Sequence, residues 1–174
     1  MLIIGVSNPT RQDWLHWSKS GKNTIVGNTM LNQDFKEFIT SLSDNEVRYL
    51  VVGGYAVALH GYPRYTKDID IWIEPTHDNA SKLIKALDEF GFDSLGLKVE
   101  DFLEPDTIIQ LGYPPNRIDL ITTLPGVEFE ACYPTRVEAE IEGQRVNFIG
   151  LESLKKNKLA SNRTQDLADL ENLT

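Results

Sequence analysis

Two aspartates separated by one isoleucine, Asp68 and Asp70, lie in an isoleucine-rich segment that is typical of a buried strand. Aspartate is disfavoured in strands, and side chains two residues apart in a strand point to the same face. We therefore expect the two carboxylates side by side, with α-carbons about 6.6 Å apart. Carboxylates in this arrangement can bind one Mg²⁺ or two neighbouring ions, and through the metal a phosphate group.

A third aspartate, Asp119, alternates with Ile118 and Leu120 in another predicted strand and can join the pair from there. Two carboxylates about 5 Å apart repel by roughly 3 kcal/mol at an effective dielectric near 20. Three ionised carboxylates together therefore approach about 10 kcal/mol of repulsion. A divalent cation or a raised pKa has to offset this repulsion.

An alternative interpretation puts Asp68 and Asp70 on the solvent-facing side of an edge strand. Their carboxylates would then form ordinary ion pairs with Lys67, Arg64 or Arg117. An isolated Asp-x-Asp favours this interpretation. The third strand acid and a glycine pair upstream favour a metal site instead.

The glycine pair, Gly53 and Gly54, directly follows an apolar run at residues 50–52. Glycine allows the backbone to turn sharply, here into a short predicted helix from Tyr55 to His60 that ends at Gly61. Free backbone amides at a helix N-terminus attract anions. The pattern therefore predicts a phosphate-binding turn beside the aspartates.

The elements that position these residues alternate between strand and helix. Apolar residues from Phe35 to Leu42 recur at helical spacing and predict a helix from Asn32, and Thr76 is suited to cap a helix that ends at Gly91. Strands are predicted over residues 49–52, 68–74, 107–111, 117–122, 137–141 and 145–149, and further helices over 151–158 and 163–173. This order predicts an α/β (α+β) layered domain.

Length and composition narrow the classes of protein. A chain of 174 residues fits one domain, and its net charge of −9 argues against bulk DNA binding, which needs clustered Lys and Arg. The single cysteine, Cys132, cannot form an intrachain disulfide, and no apolar run is long enough to span a membrane. We therefore expect a cytoplasmic protein.

Residues 1–29 lack the periodicity of the rest, so we predict an N-terminal extension followed by a domain at residues 30–174. Two interpretations of the extension are open. It docks on the domain through Trp14 and Trp17, or it is an upstream translation of a protein whose natural start is Met30. The second is favoured, with the extension poorly ordered or not native.

One set of residues resembles the nucleotidyltransferase superfamily of DNA polymerase β-like fold, most closely the small bacterial members related to AbiEii-type toxin nucleotidyltransferases. The resemblance covers about residues 30–174 and rests on Gly53, Gly54, Arg64, Thr66, Asp68, Asp70 and Asp119. It implies a mixed central sheet with helices packed on it and short C-terminal helices.

The resemblance also implies an activity and a site. Asp68, Asp70 and Asp119 would bind Mg²⁺, with Mn²⁺ as an alternative, and Asp119 would help to deprotonate the attacking hydroxyl. Such an enzyme transfers a nucleoside monophosphate from an NTP such as ATP to an acceptor hydroxyl and releases pyrophosphate. The nucleotide-binding residues implied are Gly53, Gly54, Arg64, Thr66 and Lys158.

The acceptor is left open between an RNA end, a protein hydroxyl and a small molecule, and a toxin–antitoxin relationship would add an antitoxin-like protein partner. The chain departs from the family pattern at Tyr55, where many relatives have Ser, and at Gln165, where an Arg-x-Lys-Asp group has Lys. A catalytically weak binding module of the same fold is therefore an alternative, and a metal-dependent glycosyltransferase is another.

Overall fold

A mixed sheet of seven strands forms the centre of the protein in a computed structural model that describes residues 2–6, 24–26, 29–31, 33–113, 117–141 and 143–173. The strands are β1 (Leu2–Val6), β4 (Tyr49–Val52), β5 (Asp68–Ile73), β6 (Thr107–Leu111), β7 (Arg117–Ile121), β8 (Val137–Ile141) and β9 (Gln144–Phe148), and β2 (Thr24–Val26) pairs with β3 (Thr29–Leu31) in a separate ribbon.

The strand order across the sheet is β1-β6-β7-β5-β4-β9-β8. The neighbours β1 and β6, β7 and β5, and β4 and β9 are parallel, whereas β6 and β7, β5 and β4, and β9 and β8 are antiparallel. This is the mixed α/β architecture that the sequence predicts. The strands β5 and β7, which carry the three aspartates, are direct neighbours near the middle of the sheet.

The helices are α1 (Gln33–Asp44), α2 (Gly53–Leu59), α3 (His77–Leu87), α4 (Phe129–Cys132), α5 (Leu151–Ser161) and α6 (Thr164–Asn172). Thr76 caps α3 as predicted, because its hydroxyl accepts a hydrogen bond from the backbone N–H of Asn79. The end of α3 differs from the prediction, since a π-helical turn at Asp88–Phe92 carries the chain past Gly91 at a φ of 97°. Among the described residues, no helix has both the length and the apolar character that crossing a membrane requires.

The two faces of β5 meet different surroundings. Ile69, Ile71 and Ile73 are fully buried on one face. On the other face Trp72 is also buried, where its indole N–H donates to the backbone oxygen of Thr122 at 3.3 Å and its ring packs edge-on against Phe129. Trp72 therefore fills the core below the aspartates.

Of residues 1–29, the structure describes β1, β2 and the start of β3. The strand β1 extends the sheet because Leu2 to Val6 pair with Thr107 to Leu111. The rest of the predicted N-terminal extension, at residues 7–23 and 27–28, lies outside the described residues.

Candidate active site

The sheet register brings the three predicted aspartates together. In the parallel pair of β5 and β7, Asp70 lies opposite Asp119 and Asp68 lies opposite Arg117. Neighbouring strands are about 4.8 Å apart, so carboxylates on the same face at these positions are close neighbours. Asp119 is buried, with 6% of its surface exposed, which an ordinary surface acid would not be.

Arg117 lies among the carboxylates. The sequence predicts it only as an ion-pair partner in the alternative interpretation. One Nη atom of Arg117 donates to Oδ2 of Asp68 at 2.7 Å and to Oδ2 of Asp119 at 2.9 Å, and its Nε donates to Oδ1 of Asp119 at 2.6 Å. Gln110 adds a fourth contact, from its side-chain amide to Oδ2 of Asp119 at 3.3 Å. The chain thus places a cation between two of the three acids.

Asp70 is the third carboxylate, and its negative charge is disfavoured by burial and by the charges of Asp68 and Asp119. Burial first, and then the charges of Asp68 and Asp119, raise the pKa of Asp70 to about 7, against weaker opposition from Arg163 and Arg117. Burial is thus the main cause of the raised pKa, and the grouping of three carboxylates adds to it. A bound cation would lower it.

This pKa gives a stability prediction for the metal-free protein. The folded-state pKa of Asp70 lies near 7 and the unfolded value near 3.8, so between about pH 4 and pH 7 the folded chain retains a proton that the unfolded chain has lost. The contribution of Asp70 to the free energy of unfolding should therefore fall as pH rises through this window, by at most about 1.4 kcal/mol per pH unit, and level off above it.

The comparison of wild type with Asp70→Asn isolates this contribution. In urea titrations with EDTA at pH 5, 6, 7 and 8, the variant should gain stability over wild type as pH rises. Asp44→Asn, which changes an exposed carboxylate at the end of α1, should follow wild type. A constant difference between Asp70→Asn and wild type across these pH values would contradict the assigned pKa.

The glycine pair opens helix α2 directly, and each glycine adjoins a different part of the site. Gly53 has a φ of +60°, and a Cβ atom built on it would lie 1.9 Å from Oδ2 of Asp70. A Cβ on Gly54 would lie 2.9 Å from Cβ of Thr66 and 3.3 Å from an Nη atom of Arg64. The absence of side chains therefore lets the turn lie against both Asp70 and the loop that precedes β5.

Replacing Gly53 by Ala should consequently displace Asp70. We expect about 1 to 2 kcal/mol of backbone strain and, in addition, at least a tenfold loss of nucleotide affinity, measured by calorimetry with a non-hydrolysable NTP. Gly61→Ala is the matched control, because Gly61 also has a positive φ, of +103°, but has no atom within 4 Å of the added Cβ. Equal losses of affinity in the two variants would show that strain alone is responsible.

The loop before β5 carries two further residues of the predicted nucleotide site, Arg64 and Thr66. The hydroxyl of Thr66 donates to Oδ1 and to the backbone oxygen of Asp68, both at 3.1 Å. Arg64 forms a two-pronged ion pair with Asp169 of helix α6, at 2.9 Å from Nε and 3.1 Å from an Nη atom. Thr66 thus orients a site carboxylate, while Arg64 is held beside Gly54 by a residue 105 positions away.

Lys158, the predicted phosphate-binding cation, lies in the same buried ion network. Its ammonium group contacts Asp166 at 2.9 Å and Asp169 at 2.6 Å, and only 3% of the residue is exposed. Gln165, the residue that replaces the family lysine, donates to Asp169 at 3.1 Å. Phosphate binding by Lys158 stays a prediction, and it requires the ammonium group to leave both carboxylates.

Arg163 is an exposed cation at the edge of this network that the predicted site does not include. Its Nε donates to Asp166 at 2.7 Å, while 77% of the side chain is exposed. Its guanidinium is close enough to Asp70 to oppose the rise of that carboxyl's pKa. Arg163 thus extends this ion network to the surface, near Asp70.

Tyr55, the residue that follows the glycine pair, is largely buried. Its ring packs edge-on against Phe35, with ring centroids 5.8 Å apart. Burial, followed by the charges of Asp68 and Tyr65, raises the pKa of Tyr55 to about 12, so its hydroxyl is protonated at neutral pH. The aromatic side chain of Tyr55 thus packs into the core.

The donor set fits a divalent cation in its chemistry. Carboxylate oxygens are the ligands that Mg²⁺ prefers. The negative charges of Asp68 and Asp119 add to the effect of burial in raising the pKa of Asp70. Within the described ranges, no three His, Cys, Asp or Glu side chains have the geometry of a ready metal site. The position of Arg117 explains this, because its guanidinium lies between Asp68 and Asp119.

Comparisons with known proteins agree with this architecture. The model of a family described as "Nucleotidyltransferase of unknown function (DUF6036)" matches residues 29–174. No curated protein matches the chain.

Solved structures provide a second comparison. A provisionally assigned nucleotidyltransferase from Thermotoga maritima, TM1012, is 15% identical, with a TM-score of 0.53 over 79% of this chain and 88% of that one. An antigenic nucleotidyltransferase-like protein from Paracoccidioides brasiliensis is 22% identical, with a TM-score of 0.52 over 80% of this chain and 74% of that one. At these identities the likeness shows the fold alone.

Proposed function

The chain belongs to this family of nucleotidyltransferases, and from that premise we propose that it transfers a nucleoside monophosphate from an NTP to an acceptor hydroxyl. The observation that supports this best is the meeting of Asp68, Asp70 and Asp119 on one sheet face, directly against the Gly53 turn that opens a helix. A pair of surface acids would need neither the third carboxylate nor the turn.

In the proposed reaction the acceptor oxygen forms a bond to the α-phosphorus of the NTP. The bond between the α-phosphorus and the oxygen that bridges to the β-phosphorus breaks, and its electron pair leaves with pyrophosphate. The hydroxyl proton passes to a carboxylate of the site. Asp119 is suited to accept it, because it lies opposite Asp70 and is held in place by Arg117 and Gln110.

Asp68, Asp70 and Asp119 would hold Mg²⁺ or Mn²⁺, which when bound supplies Lewis-acid charge at the α-phosphate. Arg117 would then give up part of its contact with Asp68 and Asp119, and its guanidinium would remain near the transferred group. Asp68 and Asp119 would then be paired with a cation in both states, with Arg117 before the metal ion binds and with the metal ion afterwards.

The triphosphate would lie along the start of α2. Backbone amides at Gly53 and Gly54 bind the terminal phosphates, with Arg64 and Thr66 beside them. Lys158, the predicted phosphate-binding cation, joins α5 to α6 through Asp166 and Asp169, and Asp169 also pairs with Arg64. This network fixes the position of Arg64 before the nucleotide binds.

Nucleotide binding tests this proposal before any acceptor is known. Calorimetry with the α,β-methylene analogues of the four common NTPs should show Mg²⁺-dependent binding of at least one, abolished by EDTA. Gly61→Ala should retain this binding and Gly53→Ala should lose it. Absence of Mg²⁺-dependent binding for all four analogues would contradict the proposal.

We also propose that the protein is related to AbiEii-type enzymes, that it has a toxin–antitoxin role with an antitoxin-like partner, and that it is cytoplasmic. Family membership does not support the glycosyltransferase alternative. The binding-module alternative predicts NTP binding with no transfer to any acceptor. Measuring the transfer of label from α-labelled NTP distinguishes this alternative from the proposed transferase.

A further inference from the structure

A cavity of about 320 Å³ lies over the half of the sheet formed by β6 and β7. Its floor is apolar and its wall comes from the segment after β7 and from the end of α5. The lining residues are Asp106, Ile108, Ile121, Thr123, Leu124, Pro125, Asn157, Ser161 and Arg163.

The strand register places this cavity on the same sheet face as the carboxylates. Ile121 follows Asp119 by two residues in β7, so the two side chains share a face. Ile108 pairs with Ile121 just as Gln110 pairs with Asp119. The cavity floor therefore begins at Ile121, two residues after Asp119 in β7. Arg163, which also lines the cavity, pairs with Asp166 on its other side.

The direction of attack on the α-phosphorus indicates which ligand the cavity binds. In an in-line displacement the attacking oxygen approaches opposite the leaving group. The glycine turn follows β4, whereas the cavity lies over β7 and β6, and the aspartate strands β5 and β7 lie between β4 and β6 in the sheet. Pyrophosphate bound at Gly53 and Gly54 therefore leaves on the side opposite the cavity.

We propose that this cavity binds the acceptor, and that the acceptor is a small organic molecule with a hydroxyl group, an apolar surface and a cationic group. The inference rests on the proposed nucleotidyl transfer and adds the class of acceptor. The acceptor hydroxyl would attack the α-phosphorus from the cavity side, its proton passing to Asp119 and pyrophosphate leaving toward Gly53.

The lining residues define this class. Ile108, Ile121 and Leu124 provide an apolar surface, and Asp106 exposes a carboxylate on the solvent side. The other charged lining residue, Arg163, is paired with Asp166. The protein's net charge of −9 also favours a cation over an RNA strand. The volume fits a molecule of roughly 10 to 20 non-hydrogen atoms rather than a folded macromolecule.

The experiment uses two variants and a defined set of probes. Asp106→Asn removes the charge, and asparagine tolerates the positive φ of 56° at this position. Ile108→Trp fills the floor. The full chain is incubated with Mg²⁺ and α-labelled NTP, and label transfer is measured to hydroxyl-bearing amines of that size, to neutral alcohols of equal size, to bulk tRNA and to denatured protein.

We expect transfer to at least one amine. Asp106→Asn should raise its KM about five- to tenfold without changing the KM of neutral alcohols, and Ile108→Trp should reduce transfer at least tenfold. Both variants should bind the non-hydrolysable NTP as wild type does, which also shows that they are folded. Asp44→Asn, which changes an exposed carboxylate at the end of α1, should match wild type.

Three results would overturn the inference while leaving the proposed function intact. They are transfer to tRNA or protein but to no small molecule, transfer to an amine that neither variant alters, and weaker NTP binding in Ile108→Trp with an unchanged acceptor KM. The last result would assign the cavity to the nucleoside. Failure of wild type to bind any NTP would instead contradict the proposed function.

Discussion

Asp70→Asn is expected to lower kcat for nucleotidyl transfer by about 10³-fold or more, in a chain that is at least as stable as wild type. We expect this loss because Asp70 lies between the glycine turn and Asp119, where the proposed metal ion and the transferred phosphoryl group would meet. Removing one preorganised electrostatic group of this kind costs about 10² to 10³ in rate, and loss of metal affinity adds to it.

The stability of the same variant separates this account from a folding defect. Asparagine keeps the shape of Asp70 and removes a charge that its neighbours disfavour, so the metal-free variant should unfold at a higher urea concentration than wild type at pH 8. Activity is measured as pyrophosphate release, with Asp44→Asn as the control. A variant with more than a tenth of wild-type kcat would contradict the assigned role.

The second large effect concerns the buried ion network. Asp169→Ala should lower the free energy of unfolding by about 3 to 5 kcal/mol, because it leaves buried positive charges without their main partner. Asp169 is fully buried and contacts Arg64, Lys158 and Gln165. Burial acts to raise the pKa of Asp169, but these hydrogen bonds outweigh it and the pKa is lowered, so the carboxylate is ionised at neutral pH.

Urea denaturation at pH 7 measures this loss. Glu171→Ala provides the control, since Glu171 is an exposed acid on the same helix, and it should change stability by less than about 0.5 kcal/mol. Asp169→Asn should fall between the two, because it keeps hydrogen-bonding atoms and loses the charge. A cost below about 1 kcal/mol for Asp169→Ala would mean that the network is solvated in solution.

The carboxylate strands are the part of the site that was predictable from the sequence. Alternation of Asp68 and Asp70 with isoleucines defines which side chains share a face, and the same holds for Ile118, Asp119 and Leu120. The pairing of β5 with β7 makes the three acids neighbours, as predicted. Periodicity within each strand is a local property, which is why it can be read without the fold.

Contacts between segments that are far apart in the sequence were harder to predict. Arg64 and Asp169 are 105 residues apart, and no local pattern links them. The burial of Lys158 was equally hidden, because a lysine on a surface helix normally reaches solvent. A signal did exist for Arg117, which alternates with Asp119 and must therefore share its face.

Backbone geometry accounts for two smaller differences. The helix after β4 begins at Gly53 and not at Tyr55, since a φ of +60° at Gly53 allows the chain to enter the helix at once. At the other end of the domain, Gly91 adopts a positive φ within a π-helical turn instead of ending α3. Glycine permits several conformations, and the sequence alone does not choose among them.

The central claim is that the site transfers the α-phosphoryl group of an NTP and releases pyrophosphate. The most direct measurement supplies the protein and Mg²⁺ with NTP labelled at the α-position or at the γ-position, and follows both the acceptor and the released phosphates. We expect α-label on the acceptor, γ-label in pyrophosphate, equal amounts of the two products, and neither product with Asp70→Asn. Appearance of γ-label on the acceptor would contradict it.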